Sequence, residues 1–309
     1  TAMFCNFQRF TSNIPKACAA TVGAMLLLAP CASGAAEAWQ SFVSVVPIWQ
    51  GNANIDNGGD VEVIGIGMRA GTSTGFGAGH RGGVTLHYDY LDFDFSSKTA
   101  FGDAPWDQVQ RFGFSVPLGF SGAGDWVYGV APSVDWSRET GADLSESVVY
   151  GGIVSATKTF APARRLGLGL GVFSDIEETK VIPLVIVNWR LNDRWSLVNP
   201  LPAGPVGPAG LELDYRFDNG WQLGVGATYR SLRFRLSETG PAPDGVGEQL
   251  GVPVFLRLSA DFSDQASLAL YAGAVLGGEL RVENSSGNTL REESFDPAPL
   301  LGAMFRMRF

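Results

Sequence analysis

After Cys31 this sequence contains no cysteine. Cys5, Cys18 and Cys31 are the whole complement, so the rest of the chain forms no disulfide and no cysteine-ligated metal site. Acid is missing from the start as well: no Asp or Glu precedes Glu37. Beyond Glu37 no apolar run is long enough for a transmembrane helix. Histidine is scarce, with only His80 and His87. That leaves little imidazole for metal binding or acid–base chemistry.

The acid-free start has an order of its own. Arg9 and Lys16 carry positive charge, Ala17 to Pro30 is an apolar run broken by Cys18, Thr21 and Gly23, and small residues follow from Ala32 to Ala36. This is the pattern of a cleaved export signal, so we expect residues 1–36 to be removed and 37–309 to form the mature protein. Leu28-Ala29-Pro30-Cys31 faintly resembles a lipidation box, but Pro before the Cys fits it poorly. Losing Arg9 and Lys16 from 22 basic residues leaves 20 against 31 acidic ones, a net charge of −11. Such a surface repels nucleic acid.

What fills the rest of the chain is alternation with a period of two. Phe112, Phe114, Val116, Leu118 and Phe120 alternate with Arg111, Gly113, Ser115, Pro117 and Gly119. Leu166, Leu168, Leu170 and Val172 are separated by Gly167, Gly169 and Gly171. Trp221, Leu223, Val225, Ala227 and Tyr229 oppose Gln222, Gly224, Gly226, Thr228 and Arg230. Period two means strands whose faces meet different surroundings, and glycine at every second position would be costly in a helix. Short links such as Asn192-Asp193 and Asp218-Asn219-Gly220 alternate with longer ones at 96–105, 138–146, 174–180, 201–210, 237–250 and 283–293. Only 17% of residues are charged, and 40 of the 309 are glycine.

These features resemble bacterial outer-membrane β-barrels. The chain ends on alternating Leu301, Ala303, Phe305, Met307 and Phe309, and in that class a terminal Phe is part of the signal read by the barrel-insertion machinery. The stretch from Val187-Asn188-Trp189-Arg190-Leu191 to Phe217 resembles, more narrowly, a barrel family of unknown function, which implies no substrate and no catalytic residue. The resemblance implies an all-β, antiparallel up-and-down transmembrane barrel in the Gram-negative outer membrane. Counting back from Phe309 gives fourteen strands, from 38–49 to 296–309. The ninth (194–200) and tenth (209–217) are the weakest, and without them the count is twelve.

Charges pointing at lipid are expensive near the bilayer midplane. We therefore expect Arg111, Asp135, Arg190, Glu212, Asp214, Arg230, Arg257, Asp261, Arg306 and Arg308 to line a lumen. Arg233 and Arg235 would join them after a phase shift, and a second shift at Leu91 suggests a bulge. Phe120, Trp126, Trp136, Trp189, Trp195, Phe217, Trp221 and Phe262 are expected to form an aromatic girdle at the membrane boundaries, with Phe95 and Trp106 at the outer strand ends. The wall either leaves a channel for small polar solutes or is plugged by its own ion pairs, and the link 201–210 could fold inward. As a catalytic alternative, His87 and Asp89 share one strand face and could act as a hydrolase pair. A third reading is a structural or adhesive barrel. No enzyme activity, cofactor or metal is expected; the expected partners are membrane lipid, the insertion machinery and small solutes, and the oligomeric state stays open.

Overall fold

The computed structural model describes residues 39–77, 79–96 and 98–309. The expected export signal at 1–36 lies outside the described residues. Seventeen strand segments follow one another: β1 Gln40–Asn54, β2 Asp60–Phe76, β3 His80–Phe95, β4 Gln108–Ser115, β5 Leu118–Ser121, β6 Trp126–Glu139, β7 Val148–Ala161, β8 Arg164–Asp175 and β9 Glu178–Arg190. After these come β10 Trp195–Val198, β11 Gly210–Arg216, β12 Gln222–Thr228, β13 Arg230–Arg235, β14 Val246–Asp261, β15 Ala266–Glu283, β16 Thr289–Phe295 and β17 Ala298–Arg308. Three pairs, β4/β5, β12/β13 and β16/β17, are single wall strands with a local break. The wall thus has fourteen antiparallel strands, and β17 pairs with β1 to close it.

The alternation of the sequence becomes two faces of that wall. Leu168, Val181, Val185, Leu223, Val225, Leu256 and Leu270 point outward and are exposed. Opposite them, Gly167, Gly169 and Gly171 of β8, Ser155 of β7 and Gly129 of β6 face the lumen. Closure pairs the first and last strands with each other, as a bilayer requires of strands. Short turns gather at the rim where the start of β1 and Phe309 lie side by side, which is the periplasmic rim by the usual asymmetry. One expected outer link is not long: β8 and β9 are joined by Ile176 and Glu177 alone.

Towards the outer mouth the interior changes character. Phe93, Trp106, Val109, Phe234, Leu280, Phe295 and Leu300 are buried there in one apolar cluster. Trp106 stands edge-on to Phe93, Phe95 and Phe234 at 5.7, 5.6 and 5.2 Å between ring centres. Trp106 and Phe95 therefore belong to this inner cluster and not to an outer girdle. Leu91 brings no bulge either: β2 and β3 pair without a shift from Val61↔Phe95 to Phe76↔His80. A polar lumen would have required a shift to turn Phe93 outward; with an apolar plug, Phe93 faces inward in phase.

The plug is made by the wall itself. Gly277, at φ +55°, is an extra residue in β15 where its pairing with β14 slips between Leu250 and Val252. This glycine bulge bends the sheet and reverses which residues face inward. Beyond it, β13–β16 lean across the mouth. Arg235 of β13 reaches a bridge with Arg138 of β6, although five wall strands separate the two around the barrel. Ser137 donates to the Arg233 carbonyl (2.7 Å), and Ser237 N donates to Glu139 (2.8 Å).

Arg233 and Arg235 are accordingly not lumen residues after a phase shift. The register is the same on both sides of the break, from Ala227↔Val254 to Arg230↔Gly251. Both arginines keep the phase of the lipid-facing Tyr229, but the strand carrying them has left the wall. The β8–β9 turn covers that face: Arg233 Nε donates to the Ile176 carbonyl (2.7 Å), and Arg235 pairs with Glu177 (2.6 Å).

Candidate functional site: a mid-height cavity beside a notch in the wall

Two wall strands are too short to cross a membrane. β10 has 4 residues and β11 has 7, against about 9–11 for a spanning strand. β10 pairs with β9 only from Ser196↔Arg190 to Val198↔Asn188. Val187 still accepts from Asn199 N–H (3.1 Å); above it, among the described residues, β9 has no further backbone partner on this side, and the next full strand, β12/β13, bends inward behind it. The wall carries a notch here.

An unpaired strand edge facing hydrocarbon costs several kcal/mol per bare group. The sequence limits that cost with two residues. Asn199 accepts from Val187 N–H (2.8 Å) and donates to the carbonyls of Val185 (3.0 Å) and Gly210 (2.9 Å), finishing the ladder with a side chain. Two positions on, along the same edge, stands Pro183, which has no N–H to leave bare.

The link between β10 and β11, residues 199–209, turns into the lumen. Val206 is fully buried, and its carbonyl accepts from Thr228 Oγ1 (2.6 Å). A Cβ on Gly204 would stand 2.6 Å from the Tyr271 hydroxyl, and one on Gly302 would stand 2.6 Å from Pro205 Cγ. The link thus lies against the inner faces of β15 and β17. At its end Tyr229 N donates to the Ala209 carbonyl (2.8 Å).

Between this link below and the mouth plug above lies a cavity of about 620 Å³. Its apolar surface comes from Val46, Ile48, Val63, Leu91, Ile182 and Leu232. Val181, Pro183 and Tyr229, at the edges of the notch, line it too. Four cations reach it: Arg69, Arg111, Lys180 and Arg230. Arg69 is held by Asp89 (2.7 Å), Arg111 by Asp135 (3.1 Å) and Lys180 by Glu248 (2.9 Å). Arg230 donates to Gln50 Oε1 (2.7 Å) and meets no carboxylate among the described residues. Gln50 is fully buried, and its Nε2 has no hydrogen-bond partner.

The remaining expected lumen residues separate into groups. Arg257 bridges Glu212 (2.6 Å) and Asp214 (2.8 Å) below the cavity. Arg306 lies over the Phe42 ring, 4.2 Å from its centre. Arg190, Asp261 and Arg308 are exposed at the periplasmic rim. His87 and Asp89 do not form a pair. His87 Nε2 lies 2.6 Å from Asp135 Oδ1, off the line a hydrogen bond needs, and Asp89 is engaged by Arg69. Gly113 stands between His87 and Asp135 in the register; a Cβ there would meet the Val134 carbonyl at 2.5 Å. Among the described residues no group of three or more His, Asp or Glu side chains could hold a metal ion.

Of the girdle, Trp126, Trp195, Phe217, Trp221 and Phe262 are exposed at strand ends on the short-turn side. Trp126 stacks on Tyr128, Trp189 packs against Phe160 and Trp195 against Tyr215. Phe120 packs between Phe76 and His80. Trp136 is half-buried on Phe112, towards the other end. The notch and the free Arg230 escaped sequence reasoning. Pro183 inside an alternating strand was the available signal, because proline in a sheet marks a missing hydrogen-bonding neighbour.

No protein-family profile matches this sequence, and no curated protein matches it. Among solved structures the chain is similar to the COG4313 outer membrane channel from Pseudomonas putida F1, at 11% identity and a TM-score of 0.48, over 91% of this chain and 100% of that one. It is similar to the P. putida toluene transporter TodX at 9% identity and a TM-score of 0.43, over 90% and 91% of the two chains. The KdgM porin follows at 10% identity and a TM-score of 0.32, over 85% and 98%. Each TM-score falls short of one half, so the weight rests on this chain's own wall. That wall is closed, apolar outside and polar in its lower lumen: the fold is a fourteen-stranded antiparallel β-barrel of the kind that spans a membrane with strands.

Proposed function

We propose that the protein is a passive channel that carries small solutes across the outer membrane. One observation carries the reading: a cavity of about 620 Å³ lies at mid-height in a closed wall. The plug stands above it. Below, the wall offers glycine, alanine and serine from β6, β7 and β8 to the lumen. A barrel of fourteen strands is wide enough for a channel unless something fills it; here the filling is the plug at the outer mouth and the 201–210 link against β15 and β17. Solute passage is then limited by the plug and the cavity, not by the lower lumen. The lumen-lining role of Arg111, Asp135, Glu212, Asp214, Arg230, Arg257 and Arg306 is part of this proposal. The ion pairs among them hold neighbouring strands together and give solutes a charged wall to pass.

The apolar share of the cavity lining narrows the expected solutes from purely polar ones to those with an apolar part. Planar-bilayer recording on the purified full chain tests the channel. Discrete current steps are expected; a silent bilayer in which the folded barrel has been shown to be inserted would end the reading.

A further inference from the structure

We propose that the notch between β9 and β13 is a side entrance from the membrane, and that the cavity behind it binds an apolar solute carrying one carboxylate, received by Arg230 and Gln50. The inference rests on the channel reading for its biological use, but the site stands on its own geometry.

Three independent observations converge on it. The first is the route. Val181 and Pro183 lie on the lipid-facing phase of β9, yet both line the cavity, and so does exposed Tyr229 across the notch. A residue that faces the membrane and also lines an internal cavity marks a place where the two communicate. The notch is held open rather than collapsed. Lys180 bridges it above, to Glu248 (2.9 Å) and Ser231 (3.2 Å), and the Ala209–Tyr229 backbone bond secures it below.

The second is chemistry without a partner. Of the four cations at the cavity, three are neutralised by carboxylates of the chain and Arg230 is not. Beside it the Gln50 Nε2 donor is buried and unpaired. A guanidinium and an amide N–H₂ together present donors to the two oxygens of a carboxylate, the pairing for which a planar guanidinium is best shaped. One free cation matches one negative charge. A phosphate dianion would leave charge uncompensated in an apolar chamber, which is costly.

The third is the body of the ligand. The aliphatic residues of β1, β2 and β9 surround the polar pair, so a tail extending from the carboxylate meets hydrocarbon on most sides. Each further buried methylene tightens binding about fourfold, which sets preference by chain length. A solute of this kind concentrates in the membrane and not in water, in keeping with a lateral opening.

The test uses decanoate and decanol with the full chain in detergent, read by titration calorimetry. Decanoate is expected to bind about tenfold or more tightly than decanol. Arg230→Gln is expected to erase that difference and leave decanol binding unchanged. Arg194→Gln, in the β9–β10 turn, should alter neither. Equal affinity for both ligands, or decanoate binding indifferent to Arg230→Gln, overturns the site. Decyl phosphate binding more tightly than decanoate would overturn the single-carboxylate assignment.

The route is read in lipid nanodiscs, with Cys5, Cys18 and Cys31 replaced by Ser and a bimane placed at Pro183→Cys or at Leu168→Cys. Lipids with a nitroxide on the acyl chain should quench both labels. Saturable quenching by bromodecanoate is expected only at 183, at the concentration where calorimetry sees binding. Equal quenching at both sites, or none at 183, overturns the side entrance. Decanoate binding in a non-conducting barrel would sink the channel and keep the site; current without decanoate binding would do the reverse.

Discussion

The two sides of this barrel obey different rules. Along β6, β7 and β8 the alternation is clean from rim to rim: outward Leu168 and Leu170 meet lipid, and inward Gly167 and Gly169 leave the lumen open. From β9 to β16 the same alternation serves three surroundings in turn. β10 and β11 stop at half height, β13 carries its lipid phase behind the β8–β9 turn, and β15 reverses its phase at Gly277. The lesson is that period two fixes which residues share a face, but not what that face meets.

The comparison is broken most severely through the plug. Arg233→Ala would leave Glu283 buried without its cation, while Glu248 keeps Lys180 and Arg281, at a cost of about 3–5 kcal/mol. Thermal melting should fall accordingly, and single-channel current should rise as the plug loosens. Phe234→Ala empties the centre of the apolar cluster, where Phe234 has no exposed surface. A loss of about 3–5 kcal/mol is expected, again with a larger current. The regular side has no plug to lose. Leu168→Arg there puts a charge on the lipid face, and urea refolding into lipid should show a penalty of about 2–4 kcal/mol with the current unchanged.

Asn199→Ala sharpens the picture at the notch. It bares Val187 N–H and the carbonyls of Val185 and Gly210, which we expect to cost about 1–3 kcal/mol. Amide exchange should quicken at Val187 and not at Leu168. The smallest effect lies in the outer link after β6. Ser145 N–H and its hydroxyl hold the Asp143 carboxylate below its ordinary range. A lowered pKa contributes order that is complete above the ordinary value of about 4 and fades as acid protonates the folded carboxylate. Exchange of the Ser145 amide should gain protection from Asp143 at neutral pH and lose that advantage in acid, with no change in melting of the wall.

Much of the regular side was legible in the sequence, because Leu166 to Val172 keeps one phase for its whole length. The count of fourteen was legible for the same reason, and the doubt over 194–200 and 209–217 was physically apt: both strands join the wall, and neither spans it. The mouth was not legible. Phe95 and Trp106 look like boundary aromatics when a lumen is assumed to be polar. Arg233 and Arg235 look like lumen residues when every strand is assumed to stay in the wall. Both assumptions fail where Gly277 bends the sheet, a long-range event that one strand's pattern does not record. His87 and Asp89 share a face, as the spacing required, but their partners come from β6 and β2, and only the sheet order brings those strands alongside.

The most direct test of the whole account is the current through single molecules of the purified full chain, compared with that of Arg233→Ala in the same bilayer. A plugged mouth over an open lower barrel predicts small discrete steps in the native protein and clearly larger ones in the variant. Equal currents in the two, or a native current already as large as that of an unobstructed barrel of this width, would contradict it.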